Sequence, residues 1–282
     1  MVLPIGDAPN PRGVPFATYA LIAANVAVYV LVTLPLGAHR PSPDDPLLGE
    51  YLQVVSQALH GRVPLAVLAR EVSAYDLFVF THGFRPAAPA PIDLLVSMFL
   101  HASWLHLGGN LLFLGIYGDN VERRLGVVRY LATYLGTGIA ATVFHWVGAP
   151  TSPLPVVGAS GAISGVLGCY FLWFPRNVVR LLWLFPPFIG QVFEAPARVV
   201  LGLYLVADNL LPYLLGTGDG GGVAHGAHIG GFVAGVGLAW LADRGGGRVD
   251  APPLDGGDCY RRCGSGGGLR FRGAAMTRAS SS

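Results

Sequence analysis

Val157-Gly158-Ala159-Ser160-Gly161-Ala162-Ile163-Ser164-Gly165 opens an apolar segment and sets the hydroxyl of Ser160 among glycines. Taken alone, such a run reads as helix packing, because Gly, Ala, Ser and Thr let membrane helices approach closely. The surrounding chain decides the class. Of its 282 residues 52% are hydrophobic and 12% charged, against about 25% charged in a typical soluble domain, so the composition predicts an all-α polytopic membrane protein. Every basic residue is an Arg and the formal net charge is +2; nothing in that balance suggests a nucleic-acid partner.

A bilayer core about 30 Å thick needs about 20 apolar residues per helix. By that measure the chain offers six spans, at 16–36, 94–117, 127–147, 156–175, 197–215 and 223–242. Residues 1–15 lack the basic start and small-residue cleavage site of a signal peptide, so the first span is expected to be retained behind a short N-terminal segment. Residues 37–91 form a long loop whose amphipathic piece, 52–71, is expected on the membrane surface. The apolar run 178–192 is interrupted by Pro186-Pro187 and Gly190 and reads as interfacial or re-entrant. Residues 243–282, rich in Gly, Arg and Ser, read as a flexible tail. Its Cys259 and Cys263 have no nearby His and make a poor zinc signature.

Arginine fixes the orientation. The loops after spans two and four carry Arg123, Arg124, Arg129, Arg176 and Arg180, and the tail carries more, while the loops after spans three and five carry none. The positive-inside rule then puts both termini in the cytoplasm and the loop 37–91 outside. Spans two, four and six start at the outer surface. Ser160 and His228 each lie about five residues into their spans, about 7 to 8 Å deep at 1.5 Å per residue. His106 and Asn110, four apart, share one helix face. His101 is expected to point elsewhere and, like His225, to be a boundary residue.

Ionisable residues inside a membrane are costly and by default mark function. Gly161 with Gly165 and Gly231 with Gly235 form two GxxxG pairs that would bring spans four and six together, close enough for Ser160 and His228 to act as nucleophile and base. No Asp or Glu precedes the cytoplasmic ends of spans four and six, so a Ser-His dyad is favoured over a triad, with Asp208 as the only local carboxylate. Gly158-Ala159-Ser160-Gly161-Ala162 does not match the GxSxG nucleophile elbow.

These motifs resemble the rhomboid intramembrane serine proteases. The resemblance rests on His106-Leu107-Gly108-Gly109-Asn110, Gly158-Ala159-Ser160-Gly161, Ala227-His228-Ile229-Gly230-Gly231 with Gly235, and Gly118-Asp119-Asn120-Val121-Glu122-Arg123-Arg124-Leu125-Gly126, and covers 16–242. It implies a six-helix rhomboid-like bundle with Ser160 as nucleophile and His228 as general base. It also implies that His106, Asn110 and the backbone N–H of Ser160 line an oxyanion hole, and that Glu122 and Arg124 form a structural polar pair. No metal or organic cofactor is implied; the expected partners are the lipid bilayer and transmembrane protein substrates, cut near the outer ends of their spans. Two features depart from relatives: Ser164 stands where some carry an aromatic four residues after the nucleophile, and a Trp-Arg pair is missing before span two. The rival readings are a catalytically inactive, client-binding relative and a small transporter or channel with a histidine relay. The expected location is a prokaryotic plasma membrane.

Overall fold

The computed structural model describes residues 2–10, 13–216 and 223–244. Strand β1 (Val2–Ala8) precedes helix α1 (Phe16–Gly37), and three short helices fill the loop beyond it, α2 (Pro46–Ala58), α3 (Leu65–Glu71) and α4 (Ala74–His82). Helices α5 (Asp93–Phe99), α6 (Trp104–Leu125), α7 (Val127–Gly148) and α8 (Ser160–Trp173) lead into strands β2 (Val178–Trp183) and β3 (Val192–Pro196). Helices α9 (Ala197–Leu214) and α10 (His225–Arg244) complete the described chain.

Three of these helices, α1, α7 and α9, are long and apolar enough to cross a bilayer alone, and α5 with α6 meets the same test as a pair bent by 96°. Their outward faces carry large apolar side chains such as Leu31, Val128, Val147 and Leu214, each more than two-thirds exposed, as lipid-facing surfaces require. Helix α8 differs. It has only 14 residues, and every one from Gly161 through Tyr170 is buried, the pattern of a helix enclosed by others. It packs against α10, α7 and α6, and the core beside it is built from the fully buried Tyr117, Tyr130, Tyr134 and Tyr170 with Leu114, Val121, Val166 and Leu167.

Several expectations need correction. The second span is not one rod over 94–117, because the chain breaks after Phe99 and restarts at Trp104, where the Ser103 hydroxyl accepts the His106 N–H at 3.1 Å as an N-cap. The fourth helix begins at Ser160 rather than near 156. The residues before it are held extended instead: Val156 and Phe84 exchange backbone hydrogen bonds, and the Gly158 N–H reaches the Ser97 carbonyl at 2.8 Å. The amphipathic piece 52–71 is two helices, α2 and α3, parted around Gly61 and Pro64.

The fold is also not purely helical. Strands β1, β2 and β3 form an antiparallel sheet in that order, with Leu3 opposite Leu182 and Val178 opposite Pro196. The run 178–192 therefore enters a hairpin, which suits its β-branched start and its two adjacent prolines, since proline cannot continue a helix. Within β2, Val179 is buried and Arg180 exposed, the alternation of a strand covered on one face. Asp243 and Arg244 finish α10; the rest of the expected tail, with Cys259 and Cys263, lies outside the described residues.

Candidate active site

Ser160 is the first residue of α8, and Ala159 before it supplies no side-chain cap. The first N–H groups of a helix have no partner within the helix, and they carry its positive dipole end. The serine hydroxyl is thus placed where unpaired backbone donors point at incoming negative charge.

Gly158 makes this approach possible. Its φ of +121° is one that side-chain-bearing residues rarely adopt, and a Cβ there would come within 2.7 Å of His106 Nε2. The same Cβ position is 3.8 Å from Asn110 Nδ2. One helix face of α6 therefore aims both side chains at the backbone just before Ser160. Asn110 is buried, and its Nδ2 has no hydrogen-bond partner. Buried donors are nearly always satisfied, so a free one converging on a serine suits a group that arrives only with substrate. His101, expected to point away, is fully buried beside His106, with ring centroids 5.1 Å apart.

His228 lies in the first turn of α10. Its Nε2 is 2.8 Å from Ser160 Oγ, the hydrogen-bond reach a serine nucleophile and its base require. The glycines explain the proximity, in a way the sequence anticipated only in part. Side chains at Gly231 and Gly235 would run into the carbonyls of Gly161 and Gly165, so α10 lies directly on the backbone of α8. The Cα atoms of Gly161 and Gly165 instead face α7, where a Cβ at 161 would meet Ala141 Cβ at 2.8 Å and one at 165 would strike Thr137. Gly168 completes the row against the Phe232 backbone.

The other nitrogen of His228 reveals residues that sequence reasoning missed. Its Nδ1 is 2.6 Å from Asn209 Oδ1, and Asn209 Nδ2 donates to the Tyr204 carbonyl at 2.9 Å. Asp208, the only local carboxylate in the sequence, is exposed. The reason is a π turn in α9 over Val206–Leu210. The wider turn brings the residue five beyond Tyr204 into the interior where an α-helix would bring the fourth. Ser164 is also accounted for: its Oγ lies 3.0 Å from the Tyr204 hydroxyl, and the Tyr204 ring is stacked near His228 with centroids 6.4 Å apart. The aromatic neighbour of the histidine thus comes from α9.

Glu122 and Arg124 have separate partners. Glu122 accepts from the N–H groups of Ala17 and Thr18 and from the Thr18 hydroxyl, at 2.8 to 2.9 Å, which anchors the start of α1. Arg124 pairs with Asp243 at 2.7 Å and lies over the Trp173 ring, tying α6 to the ends of α8 and α10. A small cavity reaches Ser160 from the α7 side, lined in part by Ser97, Thr142 and Gly158.

The family model described as Rhomboid domain matches residues 90–244, just over half of the chain and the whole of the site. Among curated proteins the chain is 35% identical over 160 residues to rhomboid-like protein 11, chloroplastic, of Arabidopsis thaliana, covering 55% of this chain and 54% of that protein. It is 33% identical over 158 residues to rhomboid protein 1, mitochondrial, of Saccharomyces cerevisiae, covering 54% and 42% respectively. It is 29% identical over 154 residues to rhomboid protease AarA of Providencia stuartii, covering 50% and 52%. The chain thus spans about half the length of the curated relatives it matches. The first two of these relatives are chloroplastic and mitochondrial by name, so they give no support to the expected prokaryotic plasma membrane. The matched domain, the apolar helices and the half-buried polar cluster at the head of α8 together place the chain in the rhomboid family of membrane proteins.

Proposed function

We propose that the protein is an intramembrane serine endopeptidase that uses Ser160 and His228 as a catalytic dyad. The observation that carries this reading is the 2.8 Å contact between Ser160 Oγ and His228 Nε2 at the uncapped N-terminus of a buried helix. In the proposed reaction His228 Nε2 takes the hydroxyl proton as Oγ attacks a peptide carbonyl carbon. The oxyanion is held by the Ser160 N–H, the Asn110 amide and His106, donors that are in place before charge develops. Imidazolium then gives its proton to the leaving amine. Water, deprotonated in turn by His228, hydrolyses the acyl ester and frees the serine.

The substrates in this reading are transmembrane proteins, cut near the outer ends of their spans. A peptide carbonyl inside a helix is hydrogen-bonded and shielded, so the cut segment must unwind locally, which small and helix-breaking residues favour. The site belongs to a six-span core with both termini cytoplasmic, Ser160 and His228 lying toward the outer surface. The hydrogen-bonded Ser160 and His228 favour this reading over that of an inactive, client-binding relative.

The test is cleavage of a single-span substrate by the purified protein in lipid, compared with Ser160→Ala and His228→Ala. Both variants are expected to lose turnover. Cleavage that survives in Ser160→Ala would remove the nucleophile and the proposal with it.

A further inference from the structure

We propose that Asn209 is the positioning residue of the catalytic base, so that the site works as a Ser160, His228, Asn209 relay whose third member is a neutral carboxamide on a π turn. The inference rests on the peptidase reading and adds to it a residue that a dyad does without. Asn209 is 1% exposed, so its amide would not be there without a polar purpose. It spends both ends: Nδ2 donates to the Tyr204 carbonyl at 2.9 Å, and Oδ1 meets His228 Nδ1 at 2.6 Å.

The first contact fixes the second. Because Nδ2 is committed to a carbonyl, which can only accept, the oxygen of the amide must face the imidazole, and an oxygen facing Nδ1 requires that nitrogen to carry the proton. Nε2 is then the unprotonated nitrogen, and it points at Ser160 Oγ. That is the tautomer a general base needs. Asn209 therefore sets both the protonation and the orientation of the ring without touching the reacting atoms.

A carboxamide also suits the surroundings. A carboxylate buried at membrane depth would need a charge partner, whereas the rings beside His228 are those of Tyr204 and, with centroids 6.5 Å away, His225. His106 and His145 are the other titratable side chains close enough to interact with it electrostatically. The π turn supplies the geometry. It puts Asn209, rather than the exposed Asp208, on the inward face.

The test measures the protonation of His228 and the turnover independently. Nitrogen NMR of His228 in the full-length protein is expected to show the proton on Nδ1 in the wild type and a mixture of tautomers in Asn209→Ala. Turnover by Asn209→Ala should fall about 10- to 100-fold in kcat, the scale of an orienting contact to a general base, with KM little changed. Asn209→Asp keeps an acceptor at Nδ1 and should recover activity relative to Asn209→Ala at alkaline pH. Its negative charge favours imidazolium, so the acid limb of kcat/KM moves to higher pH. A merely structural role would lower the folded fraction of both variants and leave the tautomer of His228 and the kcat per folded molecule of Asn209→Ala at the wild-type values. A wild-type His228 protonated on Nε2, or an Asn209→Ala protein with wild-type tautomer and kcat, overturns the role of Asn209. A wild-type protein that cleaves nothing yet shows the Nδ1 proton and its loss in Asn209→Ala fails the peptidase reading while upholding the positioning contact.

Discussion

The Gly161 carbonyl of α8 occupies the space that a side chain at Gly231 of α10 would need. The two backbones are in direct contact one residue beyond Ser160 on α8 and three beyond His228 on α10, the pair whose Oγ and Nε2 meet at 2.8 Å. Backbone cannot swing aside as a long side chain can, so any Cβ at 231 must move a helix.

Gly231→Ala is accordingly expected to disable the site without altering any reacting group. Overpacking a tight contact costs about 1 to 3 kcal/mol, and a shift of about 1 Å in a catalytic pair can cost about 100-fold in rate. The variant should lose thermal stability in detergent and lose turnover by more than the stability loss explains. Gly237, where a Cβ would meet nothing within 4 Å, is the control on the same helix, and Gly237→Ala should retain both. Equal behaviour of the two variants would show that the close approach does not position the pair.

Asn110 separates stability from catalysis in the opposite sense. No group of the protein partners its buried Nδ2, so removing that donor breaks no hydrogen bond within the folded chain, and an unsatisfied buried donor costs about 1 to 3 kcal/mol. Asn110→Ala should therefore leave the melting temperature unchanged or raise it. If Asn110 donates to the oxyanion, the same change lowers kcat about 100- to 1000-fold, the loss seen when one such donor is removed. A fall in stability with unchanged kcat would identify Asn110 as a packing residue.

How much of this was legible in the sequence depends on the kind of signal each residue leaves. Ser160, His228, His106 and Asn110 stood out because polar groups in apolar spans are few, and positive-inside counting put them on one side. The glycine pairs predicted the approach of α8 and α10, yet spacing cannot say whether a glycine offers its Cα or its carbonyl. Asn209 and Tyr204 were not legible. Asp208 and Asn209 are adjacent, and an α-helical period turns the wrong one inward; only the π turn at Val206–Leu210 selects Asn209. The sheet escaped for a similar reason. Strand β1 pairs with β2 across most of the helices that separate them in the chain, and neither segment shows that partner in its own pattern.

Glu122 is expected to matter for folding alone. Its carboxylate accepts three hydrogen bonds from Ala17 and Thr18, two of them N–H groups in the first turn of α1 that no residue within that helix could satisfy. It also faces the positive end of the α1 dipole. Hydrogen bonds to charged groups contribute about 1.5 to 3 kcal/mol each, so Glu122→Ala should destabilise the protein strongly. Glu122→Gln keeps one acceptor and should lie between. The fraction of Glu122→Gln that remains folded should turn over substrate at the wild-type kcat, and a specific loss of kcat would give this residue a role in the site.

Asp7 gives the sheet a dependence on pH. It lies in β1, outside the spans, and is 7% exposed. The Tyr170 hydroxyl and Asn120 Nδ2 both donate to its Oδ2, the latter at 2.9 Å. Burial pushes its carboxyl up from 3.8 to about 7, with Asp119 adding to the rise and Tyr170 and Asn177 opposing it. A carboxyl whose pKa is raised on folding contributes its full stability below the unfolded value and loses it as pH climbs through the folded one. The grip of β1 on α6 and α8 should therefore weaken between about pH 4 and about pH 7 and then level off. Asp7→Asn cannot ionise and should flatten that slope, so the melting temperature of the wild type relative to the variant falls across this interval. The protection of β1 amides, their exchange rate relative to the intrinsic rate at each pH, should fall over the same range in the wild type alone. Parallel melting and exchange profiles for the two proteins would mean that Asp7 is ionised in the folded state and that its hydrogen bonds outweigh the cost of burial.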